Sequence, residues 1–222
     1  TAIEPDEEVY AMDAELDNSW GVKRIGSGEV HAALNTGAGV KIGIIDSGVN
    51  YLHPDLNDNF DPLNRGYDFV QNDNDPMDVY GHGTHVAGTA CAEDNNFGVV
   101  GVAPACALYS LRVLNDDGVG SWSRVIAAMD WAVANGLQVV NLSLGSSKNP
   151  GTAVKTAFDN AEARGVVIVA AAGNSGNTAG KGNNIIYPAK FASVIAVGAT
   201  DSADKRASFS STGSELEIMA PG

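Results

Sequence analysis

Apolar runs rich in β-branched residues recur along this chain at residues 40–45, 107–113, 139–142 and 166–170. Runs of this kind suit strands covered on both faces, as in a parallel sheet. Helical patterns stand between them. Residues 123–135 place Val125, Met129 and Val133 at i, i+4 and i+8, with serine near the start and Gly136 just beyond the end; residues 152–164 close in the same way with Gly165. These are N-cap and C-cap signals. Strand and helix in alternation imply right-handed crossovers and an α/β fold: a doubly wound, mostly parallel sheet with helices on both faces. At 222 residues and 44% hydrophobic composition, the chain can bury one sizeable core, and no internal repeat or low-complexity tract divides it.

Charge narrows the partners. Thirteen Lys and Arg against 27 Asp and Glu give a net charge of -14. That disfavours nucleic acid and anionic membranes and favours solubility and cation binding, although an acidic solvated surface accounts for it equally. No apolar run approaches the roughly 20 residues of a membrane span, and no signal peptide opens the chain, so an exported protein has already lost its signal. Cys91 and Cys106 allow at most one intrachain disulfide; two buried thiols or one bridge both fit.

In open α/β sheets, ligands bind beyond the carboxyl ends of the strands. Asp46 follows the first run, residues 143–145 the third and residues 173–176 the fourth, so these segments could share one cleft, though each also suits an ordinary strand-to-helix turn. The segment Gly81-His82-Gly83-Thr84-His85-Val86-Ala87-Gly88 sets a histidine at a glycine-flanked helix start. A buried carboxylate can hold an imidazole tautomer while the imidazole moves a proton, which gives Asp46 an orienting role and His82 a general-base role. Asn174 carries the amide donor that a developing oxyanion needs. His85 reads as structural, and His31 and His53 as surface or loop residues. The His82/His85 pair lacks the glutamate of a zinc HExxH motif, and no GxGxxG follows the first strand, which disfavours a nucleotide-binding domain.

Read together, Ile45-Asp46-Ser47-Gly48, His82-Gly83-Thr84-His85-Val86-Ala87-Gly88, Asn141-Leu142-Ser143-Leu144-Gly145, Ala171-Ala172-Gly173-Asn174 and Met219-Ala220-Pro221-Gly222 resemble the subtilisin family of serine endopeptidases (subtilases), in order and approximate spacing. The resemblance implies that Asp46 and His82 are two members of a catalytic triad and that Asn174 completes an oxyanion hole. It implies a peptide groove along Gly118, Gly120, Ser143, Leu144 and Gly145. Trp122 would wall a distal apolar pocket, or be no more than a helix-start aromatic, and Ala171, Ala172 and Gly173 would border a primary pocket for large apolar side chains. Calcium is the implied cofactor. Its ligands would be the Asp55 carboxylate, the Asn95 side chain and the carbonyls of Glu93, Phe97 and Val99, with Asp17 closing the site. A weaker cation site is implied near Ala189, Phe191, Val194, Glu215 and Glu217. The acidic loop 73–78 also gathers oxygens, but a solvated turn would do so too. Polypeptide substrates and secretion as a zymogen belong to the same expectation.

Both termini carry expectations of their own. Residues 1–14 resemble the tail of an inhibitory propeptide, with Val9 and Met12 set for the distal and primary pockets and processing near Met12-Asp13; a plain acidic extension is the alternative. Residues 15–222 then form the peptidase domain, incomplete at its C-terminal end, because the family's Gly-Thr-Ser-Met-Ala motif is expected a short distance beyond Gly222. Ser47, Ser143 and Ser175 stand near the expected cleft, yet none lies in a Gly-x-Ser-x-Gly elbow. The 222 residues alone are therefore expected to be inactive, with the nucleophile in further sequence or on a second chain. A catalytically dead, calcium-stabilised peptide-binding module is the competing expectation.

Overall fold

Seven parallel strands form one sheet in the order β2-β3-β1-β4-β5-β6-β7, in a computed structural model that describes residues 14–222. The propeptide-like features of residues 1–13 lie outside the described residues. Three short helices, α1 (Ala14–Asn18), α2 (Trp20–Arg24) and α3 (Ser27–Ala32), precede the central strand β1 (Lys41–Asp46). Then follow β2 (Gly66–Asp68), α4 (His82–Cys91), β3 (Ala107–Arg112), α5 (Trp122–Ala134), β4 (Val139–Leu142), α6 (Thr152–Ala163), β5 (Val167–Ala171), β6 (Ile195–Thr200) and β7 (Leu216–Pro221).

Alternation along β1 separates two cores. Ile44 turns to one face and meets Leu108, Ala87 and Cys91 beneath α4, whereas Ile45 turns to the other and joins Leu111, Met129 and Phe158 beneath α5 and α6. Helices thus cover both faces. Cys91 and Cys106 are free and buried side by side; a hydrogen bond between the thiols, with burial, pushes Cys91 well above the usual thiol range.

The four expected strands and two expected helices are present with ends shifted by a residue. β2 is only three residues long, Gly198 interrupts the apolar pattern of β6, and β7 ends in Pro221 with Glu217 and Ile218 exposed, so none of these carried a strand signature. Ser121 does occupy the N-cap position of α5, but its hydroxyl is shared with Ser123 instead of capping a backbone N–H.

The strand order turns around at β1. Its neighbour β3 lies on one side and β4 on the other, and the Asp46 end of β1 opens into that switch point. A buried ion pair braces the adjoining edge. Arg112 Nη1 donates to Asp68 Oδ2 at 2.5 Å, and Asp68 Oδ1 accepts the Val70 and Gln71 N–H groups at 2.6 and 3.0 Å. Asp68 is 0% exposed and Arg112 2%. Arg112 Nη2 also donates to the exposed Asp116, so removing Asp68 leaves the buried guanidinium with one carboxylate of two and the Val70 and Gln71 N–H groups without their acceptor. Asp68→Ala is expected to cost about 3–5 kcal/mol in urea unfolding. A loss below about 1 kcal/mol would place the pair in the class of weak surface bridges.

Candidate active site

Asp46 ends β1 fully buried, and His82 is the first residue of α4. His82 Nδ1 donates to Asp46 Oδ1 at 2.7 Å, and the Ser47 N–H donates to the same oxygen at 2.7 Å. The imidazole side chain is 43% exposed, so its Nε2 faces the cleft while Nδ1 is held from behind. A carboxylate accepts only, so it fixes the proton on Nδ1 and leaves Nε2 as the basic nitrogen. The local backbone makes this approach possible. Gly81 takes φ 97°, and a Cβ at Gly83 would collide with the Gly48 carbonyl and lie 3.1 Å from Asp46 Cβ.

Burial, the largest influence, raises the Asp46 carboxyl above its usual range, against the opposing pull of the His82 and Ser47 hydrogen bonds. Its other oxygen, Oδ2, is buried without a partner.

A cleft of about 430 Å³ opens beside His82, lined by Gly118, Gly120, Trp122, Ser143, Leu144 and Gly145, the residues expected to form the groove. Two segments wall it. One is the turn closed by the antiparallel bridge Leu114–Gly120; the other leads into the bridge Ser146–Tyr187. Asn174 with Ala171 and Gly173 lines a neighbouring recess of about 200 Å³, and Ser143 borders both spaces. The structure therefore brings Asp46, His82 and the groove residues together directly, and Asn174 through Ser143.

Two contributors escaped the sequence reading. Tyr80 lines the cleft with its ring against Gly118, where a Cβ would lie 2.8 Å from the ring. Its only signal was a position two residues before His82. Ser211, fully buried, brackets Asn174: its N–H donates to the Gly173 carbonyl at 2.9 Å and its Oγ accepts the Ser175 N–H at 3.2 Å. Nothing in the local sequence links residues 36 apart.

The expected calcium ligands gather around the loop after α4. Asp55 Oδ2 accepts the Val99 N–H at 3.2 Å, while Oδ1 is buried and unpartnered. Asn95 Oδ1 accepts the Phe97 N–H at 3.0 Å. Glu93 Oε1 accepts the Asp58 N–H at 2.8 Å and Oε2 the Asn95 amide at 3.4 Å. Asp17 does not close the site, because its carboxylate pairs with Lys23. Glu15 reaches the loop instead, its Oε1 accepting the N–H groups of Asn95 and Phe97 at 3.3 and 2.5 Å. Among the described residues no three His, Cys, Asp or Glu side chains converge on a metal position. A hard cation here would rest on the orphaned Asp55 oxygen with amide and carbonyl oxygens, a donor set that suits calcium. At the second expected site, Glu215 is bonded by its own backbone N–H, Ser214 and Asn183, with Lys190 nearby, and its carboxyl lies below the usual range.

Residues 37–222 match the model of the subtilase family, the S8 peptidases. The chain belongs to the subtilase family. It is 51% identical over 203 residues to subtilisin DY of Bacillus licheniformis and 47% over 204 residues to a subtilisin of Bacillus pumilus, covering 91% of this chain and 72% of each relative. Subtilisin E of Bacillus subtilis is 46% identical over 204 residues, which are 52% of its length. A crystal structure of a cold-adapted subtilisin-like serine proteinase superposes with a TM-score of 0.74 at 40% identity, over 84% of this chain and 64% of that one. The subtilase chain thus spans between about half and three quarters of the proteins it matches. No helix among its described residues is long and apolar enough to cross a membrane.

The raised Asp46 carboxyl has a consequence for stability. A carboxylate whose folded-state pKa is raised contributes stability that is complete below the unfolded value, about 3.9, and lost as pH rises through the folded value. Asp46→Asn removes that titration and keeps an oxygen acceptor for the His82 and Ser47 N–H groups. The variant is expected to melt above the unmodified chain at neutral and alkaline pH, with the difference vanishing below about pH 3.9. Thermal unfolding followed by circular dichroism across pH checks both parts.

Proposed function

We propose that this subtilase chain supplies the acid, base and oxyanion donor of a serine endopeptidase acting on polypeptides. The observation that carries the reading is the 2.7 Å bond from His82 Nδ1 to the buried Asp46, with Nε2 turned to a cleft walled by two backbone segments. A serine hydroxyl at Nε2 loses its proton to His82 as its oxygen bonds to the substrate carbonyl carbon. Asn174 donates to the oxyanion, the imidazolium returns the proton to the departing amine, and water then releases the acyl group through the same base.

That serine is assigned to sequence outside the described residues or to a second chain. Of the three serines singled out near the cleft, Ser47 donates its hydroxyl to Asp78 and accepts the Gly83 N–H, Ser143 Oγ accepts from Asn141, and Ser175 is held through its backbone, its N–H by Ser211 Oγ and its carbonyl by the Asn184 amide. The same observation supports the second reading, a catalytically silent peptide-binding module. An extended peptide would lie between residues 118–120 and 143–145 by main-chain pairing. Trp122 with Leu144 favours an apolar side chain at the distal end, and the recess beside Ala171 and Gly173 takes a large apolar one. Occupation of the cleft by the protein's own N-terminal segment, as in a zymogen, and secretion are parts of the proposal drawn from the likeness to the Bacillus subtilisins.

Calcium, bound by Asp55, Asn95 and the carbonyls of Glu93, Phe97 and Val99, would supply a cross-link that stabilises the loop and takes no part in hydrolysis. Glu15 fits this site better than Asp17.

Three experiments test these assignments. Denaturing mass spectrometry of the full protein after fluorophosphonate treatment is expected to show a serine adduct that His82→Ala suppresses; a full-length protein that never labels favours the silent module. In the labelled enzyme, Asn174→Gly should lower kcat by about 10²–10³, the magnitude that holds for the oxyanion-hole asparagine of a subtilisin. Calcium at 100 times its Kd should stabilise the chain by about 2.7 kcal/mol in thermal unfolding. Asp55→Ala should abolish the calcium-dependent shift, and a shift that survives it refutes the assigned ligand set.

A further inference from the structure

Helix α4 has no cap of its own. Its N-cap residue is Gly81, which makes no side-chain cap hydrogen bond, so the N–H groups of the first turn need acceptors from elsewhere. Asp78, three residues earlier in the acidic loop, supplies them. Its Oδ1 accepts the Gly81 N–H at 2.9 Å, and its Oδ2 accepts both the N–H and the hydroxyl of Thr84 at 2.9 and 2.6 Å. A carboxylate at this end also complements the helix dipole. The Gly83 N–H goes to Ser47 Oγ at 2.9 Å, and the Ser47 hydroxyl in turn donates to Asp78 Oδ1 at 2.9 Å.

This network reaches both members of the dyad. Ser47 follows Asp46 and donates its N–H to the oxygen that accepts from His82 Nδ1. Gly81 and Gly83 flank His82, and Thr84 Oγ accepts the Asn50 N–H at 2.9 Å, closing the turn after β1 onto α4. The backbone leaves no room for an alternative path: a Cβ at Gly48 would lie 2.7 Å from Pro76 O and 2.9 Å from the Asp78 N. One carboxylate therefore fixes the end of the strand that carries Asp46 against the start of the helix that carries His82.

We infer that Asp78 is a positioning residue of the hydrolytic site, holding His82 Nδ1 in register with Asp46 through Ser47, Gly81 and Thr84. The inference rests on the proposed peptidase function for its kinetic consequence but not for its structural one. It also gives the acidic loop 73–78 a role other than cation binding or solvation: its last carboxylate has four donors directed at it.

The test uses the full-length protein and two variants. Asp78→Asn keeps the side-chain shape but sets an NH2 donor against donors, and Ser47→Ala removes the hydroxyl that ties residue 47 to Asp78 and Gly83 while leaving its backbone N–H on Asp46 and the Asp78 bonds to Gly81 and Thr84. Both are expected to broaden or abolish the downfield proton resonance of His82 Nδ1–H. Both should lower kcat between roughly 10- and 100-fold with KM within about twofold, as misplacement of a reacting group does. Asp78→Glu is not expected to rescue, since the longer side chain moves the carboxylate out of register. A His82 resonance and kcat unchanged in Ser47→Ala overturn the inference, even if Asp78→Asn lowers the melting temperature or fails to fold. If the full protein proves inactive, the peptidase reading fails while the His82 resonance still decides the positioning claim.

Discussion

A carboxylate taken out of water at the end of a central strand must be given donors, and Asp46 receives two, from His82 Nδ1 and from the Ser47 N–H, both on one oxygen. The second oxygen receives none. The arrangement is consequently costly, because burial outweighs the hydrogen bonds and leaves the carboxyl harder to ionise than usual. What holds it is geometry imposed from outside the pair: strand β1 cannot shift without disturbing pairing to β3 and β4 on both sides, and α4 cannot shift without losing its borrowed cap.

The rest of the site is built outward from that fixed point. The parallel sheet delivers the loops after β1, β3, β4 and β5 to one edge, so the groove walls, the His82 cleft and the Asn174 recess come from segments far apart in sequence. Each loop is then tied by a different device. Ser211 brackets Asn174 from both neighbours, the Ser146–Tyr187 bridge fixes the segment after β4, and the Asn115 side chain organises the turn before Gly120 by accepting from Asp117 and Val119. The elements supply rigidity, and the loops supply chemistry.

The same α4 links this site to the loop expected to bind calcium. His82 begins the helix, and the segment after its last residue, Cys91, runs into Glu93, Asn95, Phe97 and Val99 around Asp55. Glu15 and Asn18 tie the N-terminal segment to the same loop.

Much of this was readable in the linear sequence, and the division follows the range of the forces involved. Apolar runs, helical spacing and glycine-bounded ends specify β1, β3, β4, β5, α5 and α6, because burial on both faces and local capping leave their marks within a dozen residues. The motifs around Asp46, His82, Ser143 and Asn174 likewise mark segments that the fold brings to one side of the sheet. Short β2, glycine-broken β6 and edge strand β7 exist only because a neighbour supplies their hydrogen bonds, and no local pattern records that. Tertiary structure alone decided that Glu15 and not Asp17 meets the 95–97 loop, since a helical turn aims one carboxylate inward and leaves the other to Lys23. It alone decided the roles of Asp78, Tyr80 and Ser211, whose partners are supplied by other loops, 36 residues away in the case of Ser211 and Ser175. Hydrogen bonds and close contacts of that kind depend on which loops the sheet brings to one edge, and a sequence expresses this only once it is folded.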